Sequence, residues 1–305
     1  MAVLASAHSM KIAAGVLHYK NWPEVRTTID TLLGQTRPAE HLLVIDHASH
    51  DGSPGHIREA FPDVEVIEID SNRGPIAGMN HVLRETLARS VDAVLLVTDD
   101  TRLEPDTLKT LVERLEARPS LGGVFALNAY PGDEGQTLIH HGGYIDSRTW
   151  HLKFSSEPGD VAEWSARAPH PVDWIEAPAM LFRATAAREA GPLNESFYYR
   201  DGETEFTIKM RSRGWELECV PAAVVHTDFG ENSIYLNTRN HLEIVRRHAP
   251  ARFLARELVR HSYLVARDVL NPRRRPSPDT WNRLRGLIDF TRRRWGPPPE
   301  RVSRA

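Results

Sequence analysis

Apolar runs of strand length recur at 12–17, 42–46, 64–69 and 93–98, and helical patterns fill about 22–34, 53–60 and 75–89 between them. No other feature restricts the fold as much. Strands that alternate with helices pair in parallel, because each crossover returns the chain to the same edge, and the helices then cover the faces of the sheet. Pro23 falls in the first turn of the first helix, where its missing N–H is not needed. The chain is therefore expected to be α/β. The turn after the first strand reads His18-Tyr19-Lys20-Asn21-Trp22. It is neither the G-x-G-x-x-G of a dinucleotide fold nor a P-loop.

The texture changes after residue 120. Gly122-Gly123, Gly142-Gly143, several histidines and tryptophans, and short alternating runs predict twisted strands and hairpins over 121–182. A helix is expected over 203–213, then strands at 216–220 and 222–226. Beyond 233 the pattern is helical, broken by Pro250 and by the proline-rich stretch 272–278, and the chain from Pro297 onward is expected to be disordered.

No run approaches the roughly 18 apolar residues of a membrane span, and the start MAVLASAHSMK has neither the basic lead nor the long apolar core of a signal peptide. Cys219 is the single cysteine, which rules out an intrachain disulfide and fits a reducing cytoplasm. Charge is distributed unevenly. Residues 241–305 hold 16 Arg, no Lys and 6 acids, for +10, while residues 1–240 carry −13. Such a tail suits an anionic membrane surface, a polyphosphate-bearing acceptor or a partner's acidic face, and equally a solvated helical face. Leu254, Leu258, Tyr263, Leu264 and Val265 would give it one apolar side, for a peripheral membrane contact, a homodimer or packing on the chain's own body.

Chemistry is concentrated where apolar runs end. VLLVTDDTRLEPDTL (94–108) stops on Thr98-Asp99-Asp100. Adjacent carboxylates at the end of a buried strand are costly without a partner, and this sheet edge is where open α/β folds bind ligands. A hard divalent cation with a diphosphate as its other ligand would satisfy them, and so would a strand-to-helix turn capped by Asp. LLVIDHASHDGS (42–53) ends likewise on Asp46, a carboxylate able to accept the imide N–H of a uracil or thymine, or simply part of a turn at Asp51-Gly52. SNRGPIAGMN (71–80) sets Asn72, Arg73 and Gly78 around a helix start, where glycine allows close approach and Arg meets phosphate.

Taken in order, GVLHYKNWPEV, VIDHASHDGS, NRGPIAGMN and LLVTDDTRLEPDTL resemble the successive motifs of the family-2 glycosyltransferases of the GT-A fold. The bacterial rhamnosyl- and galactofuranosyltransferase branch is nearest. The segment 172–226 is similar to that family's acceptor half, and YLNTRNHLEIVRRH (235–248) to its Tyr/Arg-Asn helix. The resemblance implies a mixed sheet flanked by helices. It implies a GT-A domain over 1–235, split into a nucleotide-binding half (11–105) and an acceptor half (106–235), and an arginine-rich helical extension over 236–305.

Carried over by position, Asp100 matches the carboxylate that binds Mn²⁺ or Mg²⁺, with Thr98 where the D-x-D motif has its first Asp, and Asp99 falls beside the ribose and diphosphate. Asp46 matches the base-reading acid, His18-Tyr19 the loop that packs on the base, and Asn72, Arg73 and Gly78 the nucleotide-facing loop. His226 matches a histidine that completes the metal site. The implied reaction is inverting transfer from a UDP- or dTDP-sugar to an acceptor hydroxyl, in cell-envelope polysaccharide, glycolipid or natural-product glycosylation, with no nucleic acid involved. Its general base falls in Asp201-Gly202-Glu203-Thr204-Glu205, where Glu203 takes the slot usually held by Asp and Asp201 is the alternative. A helix start here is expected to lower the pKa of the base and keep it ionised. The Glu substitution and the missing first Asp also suit a sugar-nucleotide-binding partner with little turnover. Glu176-Ala177-Pro178 replaces a more flexible segment ahead of the acceptor site.

Overall fold

A computed structural model describes residues 9–130, 137–155, 159–227, 233–271 and 276–298. Its first half follows the expected rhythm: β1 (Ile12–His18), α1 (Trp22–Leu33), β2 (His41–Asp46), α2 (Ser53–Ala60), β3 (Glu65–Glu68), α3 (Pro75–Leu87) and β4 (Ala93–Thr98). A two-residue β5 (Arg102–Leu103) then precedes α4 (Thr107–Ala117) and β6 (Leu121–Ala129). Short strands β7 (Leu138–His140), β8 (Gly143–Ile145) and β9 (Leu152–Phe154), helix α5 (Val161–Ser165) and strand β10 (His170–Pro171) lead to β11 (Ala179–Arg183) and α6 (Ala184–Ala190). The chain continues through α7 (Gly202–Ser212), β12 (Glu216–His226), α8 (Ile234–His248), α9 (Ala251–Leu270) and α10 (Pro278–Thr291).

The sheet runs β10-β12-β6-β11-β4-β1-β2-β3, with β5 paired to β12 and β7 to β6. It is mixed: β3, β2, β1 and β4 are parallel neighbours, and β11 inserts antiparallel between β4 and β6. Side chains alternate between two cores. Ile12, Ala14 and Val16 of β1 join Leu95 and Val97 of β4 on one face, while Ala13, Val94 and Leu96 turn to the other. Burial on both faces explains why these strands read as continuous apolar runs.

Residues 216–226 form one strand where two were expected. Pro221 cannot donate to the ladder, and the strand passes it by a register shift between Val220 and Val224. In the C-terminal region, Leu242, Val265, Leu287 and Phe290 make a small core joined by Leu254 and Leu258. The expected apolar side of α9 is thus covered by α8 and α10, except that Tyr263 stays 62% exposed. Gly286 permits this packing, since a Cβ there would meet Tyr235 O at 2.7 Å. Among the described residues no helix is long and apolar enough to cross a membrane. Arg273, Arg274 and Arg275, and the chain beyond Pro298, lie outside the described residues.

Candidate active site

Parallel register brings His18, Asp46 and Thr98 to one edge, since His18 pairs with Asp46 and Leu17 with Thr98. His18 is fully buried there, with Nδ1 2.9 Å from Asp99 Oδ2 and Nε2 2.8 Å from Ser53 Oγ. The Tyr19 backbone N–H donates to the same Asp99 oxygen at 3.0 Å, and Thr28 donates to Asp99 O at 2.8 Å. Asp46 is buried and accepts from both the N–H and the hydroxyl of Ser49. Lys20 and Asn21 follow β1 with φ of +57° and +66°. This left-handed stretch is unusual for non-glycine residues.

Thr98, Asp99 and Asp100 open onto a cleft of about 300 Å³, walled by Tyr19, Asn128, Glu176 and Glu203. Burial, reinforced by the charge of Asp99, pushes the Asp100 carboxyl up, although hydrogen bonds from Thr98 and Thr227 oppose this. Thr98 Oγ1 reaches Asp100 Oδ1 at 2.7 Å. A carboxylate raised by desolvation and by a like charge is one that a divalent cation would stabilise. On the cleft wall neither side-chain polar atom of Asn128 is hydrogen-bonded among the described residues. The residues here fit an oxygen-liganded cation.

The opposite wall comes from the loop before α7. Asp201 stands at its N-cap with φ +67° but makes no capping bond. Glu203 follows in the first turn, and Glu176 reaches in from the segment before β11, where Thr204 Oγ1 donates to it at 2.9 Å. Arg200 lies 4.0 Å from Glu176. Burial and then the Glu176 charge push Glu203 up to about 8. The same two causes push Asp201 up to about 7, against Arg200 and Asn240. The expected lowering by the helix start is therefore overturned: desolvation and like charge outweigh a terminal dipole worth about 0.3–1 kcal/mol. Glu205 turns away, to His248 at 3.0 Å and Lys209 at 3.6 Å, which outweigh its burial and lower it.

The acid loop is held from below by α8. Arg239 is fully buried, donating to Gly296 O at 2.9 Å, to Phe197 O at 3.3 Å and to Asn240 Oδ1 at 3.0 Å. Asn240 in turn donates to Arg200 O at 3.0 Å and Phe197 O at 3.3 Å. Behind the acids lies a second cavity of about 450 Å³, sharing Glu176 and Arg200 with the first, lined by Asp201 on its own side and closed by His151, His241 and Arg260.

Asp99, Asp100, Tyr19 and Glu203 meet at one cleft. Other expected site residues stand apart from it. Asp46 is occupied by Ser49. Asn72 accepts from Gly74 N at 2.9 Å, and Arg73 is ion-paired with Glu195. Gly78 permits close packing, because a Cβ there would lie 2.5 Å from Leu17 Cδ1 and 2.9 Å from His47 Nδ1. His226 Nε2 is 2.8 Å from Glu104 Oε1, and its neighbour Thr227 faces the cleft in its place. Sequence reasoning missed Asn128, Arg200 and Thr227 as cleft residues. Their signal is positional: each lies at a strand end or beside the acids, a placement visible only once strand order is known.

Residues 15–169 match the family model described as "Glycosyl transferase family 2". The chain is 20% identical over 228 residues to the N-acetylglucosaminyl-diphospho-decaprenol L-rhamnosyltransferase of Mycobacterium tuberculosis, covering 68% of this chain and 72% of that protein. Among solved structures, GalNAc-T7 with UDP, GalNAc and Mn²⁺ superposes with a TM-score of 0.61 at 12% identity. That match covers 79% of this chain, which spans 49% of the length of GalNAc-T7. The mannosyltransferase PcManGT from Pyrobaculum calidifontis, in complex with GDP-Man and Mn²⁺, superposes with 0.59 at 15% identity, covering 94% of this chain and 88% of that one.

Proposed function

The chain belongs to glycosyl transferase family 2 and has the GT-A fold, and from that premise we propose that it is a metal-dependent inverting transferase of a UDP- or dTDP-linked sugar. The observation that carries this reading is one cleft with Asp99 and Asp100 on one wall and Glu203 on the other. Asp100 would hold Mn²⁺ or Mg²⁺, and His226 joins it only by leaving Glu104. A cation bound there neutralises charge on the departing diphosphate. Asp99, fixed by His18 and the Tyr19 N–H, is oriented before the donor arrives. Asp46 meets a base imide only by exchanging its Ser49 bond.

Across the cleft Glu203 removes the proton from the acceptor hydroxyl, and Asp201 and Glu176 set how readily it does so. A base whose pKa lies near the working pH combines availability with proton affinity. The acceptor is lipid-linked and reached at an anionic membrane face: the tail carries +10, and α9 exposes Val259, Tyr263 and Leu270. A homodimer through the same helices is the competing use. The domain limit near 235 belongs to this proposal, with α8 acting as the floor of the acid loop.

Thermal-shift measurement with UDP- and dTDP-sugars, with Mn²⁺ and with EDTA, tests the donor. A rise in Tm that needs both a pyrimidine sugar nucleotide and metal, and is lost in Asp100→Asn, is the expected result. Equal shifts in EDTA would overturn the metal requirement. Donor binding without hydrolysis or transfer would favour the non-catalytic partner, a reading supported by the proton held on Glu203 near neutral pH.

A further inference from the structure

The cavity behind the acid loop contains a side-chain cluster that sugar transfer does not use. His151 precedes β9, His241 lies on α8 and Glu257 on α9. Each offers one ligand atom, and the three atoms lie within 4.8 Å of one another. Glu257 Oε2 is 3.4 Å from His241 Nε2 and 4.0 Å from His151 Nδ1. Both nitrogens are buried and, among the described residues, have no hydrogen-bond partner of acceptable geometry, which is costly unless something occupies the space between them. Ligand atoms at about 2.0–2.1 Å around a tetrahedral Zn²⁺ sit roughly 3.3 Å apart, so the Glu257–His241 pair is already at that spacing and His151 must draw in towards it.

The geometry points to a second metal site: we propose that His151, His241 and Glu257 bind Zn²⁺ or a similar first-row divalent ion, independently of the donor-side cation. Two imidazoles and one carboxylate select such an ion over Mg²⁺, which prefers oxygen. Three protein ligands leave a fourth position, and His151 and His241 both line the cavity, so that position is open to an oxygen of a bound molecule. Arg260 Nε donates to Glu257 Oε2 at 2.9 Å and orients the carboxylate from behind. An anion is the less suitable occupant. The Glu257 carboxylate, which faces both imidazoles, would repel it. The bound ion would tie the β8–β9 hairpin to α8 and α9.

Co²⁺ titration of the full chain carrying Asp100→Asn tests the site with the donor-side ligand removed. One equivalent of four-coordinate Co²⁺ absorption, displaced by Zn²⁺ and unaffected by excess Mg²⁺, is expected. Loss of at least tenfold in affinity in His151→Ala and in Glu257→Gln completes the result. Absence of the absorption, or unchanged affinity in both variants, overturns the proposal. His151 is half-buried on a turn, so His151→Ala is expected to keep the parent Tm in EDTA. Zn²⁺ should then raise Tm in the parent and not in this variant, and an equal rise in both would overturn the site even if Glu257→Gln fails to fold.

Discussion

The two walls of the cleft differ in how their polar groups are satisfied. On the strand-end wall Asp99 is held by His18 and the Tyr19 N–H, and Asp46 behind it by Ser49, so these carboxylates are set before any ligand comes. On the facing wall Glu176 and Glu203 stand with Arg200, Asp201 lies just behind them, and among the described residues Asp201 Oδ2 has no hydrogen-bond partner. A satisfied wall can orient a ligand. A crowded acidic wall holds protons near neutral pH and is therefore able to exchange them.

The sharpest way to break this contrast is to remove one carboxylate from each wall. Glu203→Gln is expected to lower transfer by about 10²–10⁴-fold with donor affinity nearly unchanged, as for a group acting in the chemical step. Asp100→Asn should instead remove metal-dependent donor binding. Calorimetry with UDP and Mn²⁺, run beside a turnover assay, would show whether both variants lose the same quantity, in which case the walls do not divide the work. Near-normal turnover in Glu203→Gln with loss in Asp201→Asn would move the base to Asp201.

Next in size is the floor of the acid wall. Arg239→Ala takes the guanidinium donor from Gly296 O and Asn240 Oδ1, at about 1–3 kcal/mol each, while Phe197 O keeps its bond from Asn240. A fall of about 2–4 kcal/mol in denaturant-measured stability is expected, with a raised acceptor KM and unaltered donor affinity. The strand-end counterpart is Gly78→Ala, whose new methyl group overlaps Leu17 and His47. It should cost about 1–3 kcal/mol and weaken donor binding first.

The smallest effect sharpens the contrast through pH. Glu203, at about 8, must lose its proton to act, so kcat/KM should rise about tenfold per pH unit below that value and level off above it. Stability should move the other way. An acid whose pKa is raised from 4.5 to about 8 on folding keeps protons that the unfolded chain releases. The native state therefore loses stability as pH climbs from about 4.5 to about 8. Glu203→Gln should flatten that slope, read as Tm against pH. Asp201→Asn removes a neighbouring charge and should shift the activity profile to lower pH.

Sequence made the strand-end wall far more legible than the acid wall. β1 to β4 announce themselves because both faces are buried, and each motif ends where its strand ends. The contact of His18 with Asp99 was out of reach, since it joins neighbouring strands across 81 residues of chain. β12 was divided at Pro221 because local rules end strands at proline, whereas the sheet carries it through with a bulge. The acids stand together in sequence and at the start of α7, yet their charge state is not legible there. A helix dipole can be read locally, but Glu176 arrives from another element and burial follows from packing. His226 was matched by its place after a strand, and the pairing of that strand with β5 gives it Glu104 instead.

The bonds from Arg239 and Asn240 to the carbonyls of Phe197 and Arg200 also set the unit in which this enzyme can be recombined with its relatives. A chimera that exchanges only the 197–203 loop would inherit backbone carbonyls addressed by a foreign helix. One that ends the graft before α8 would strand a buried guanidinium against the wrong loop. Loop and helix must travel together, so a crossover point for altering acceptor choice lies after His248 rather than at the apparent end of the sheet.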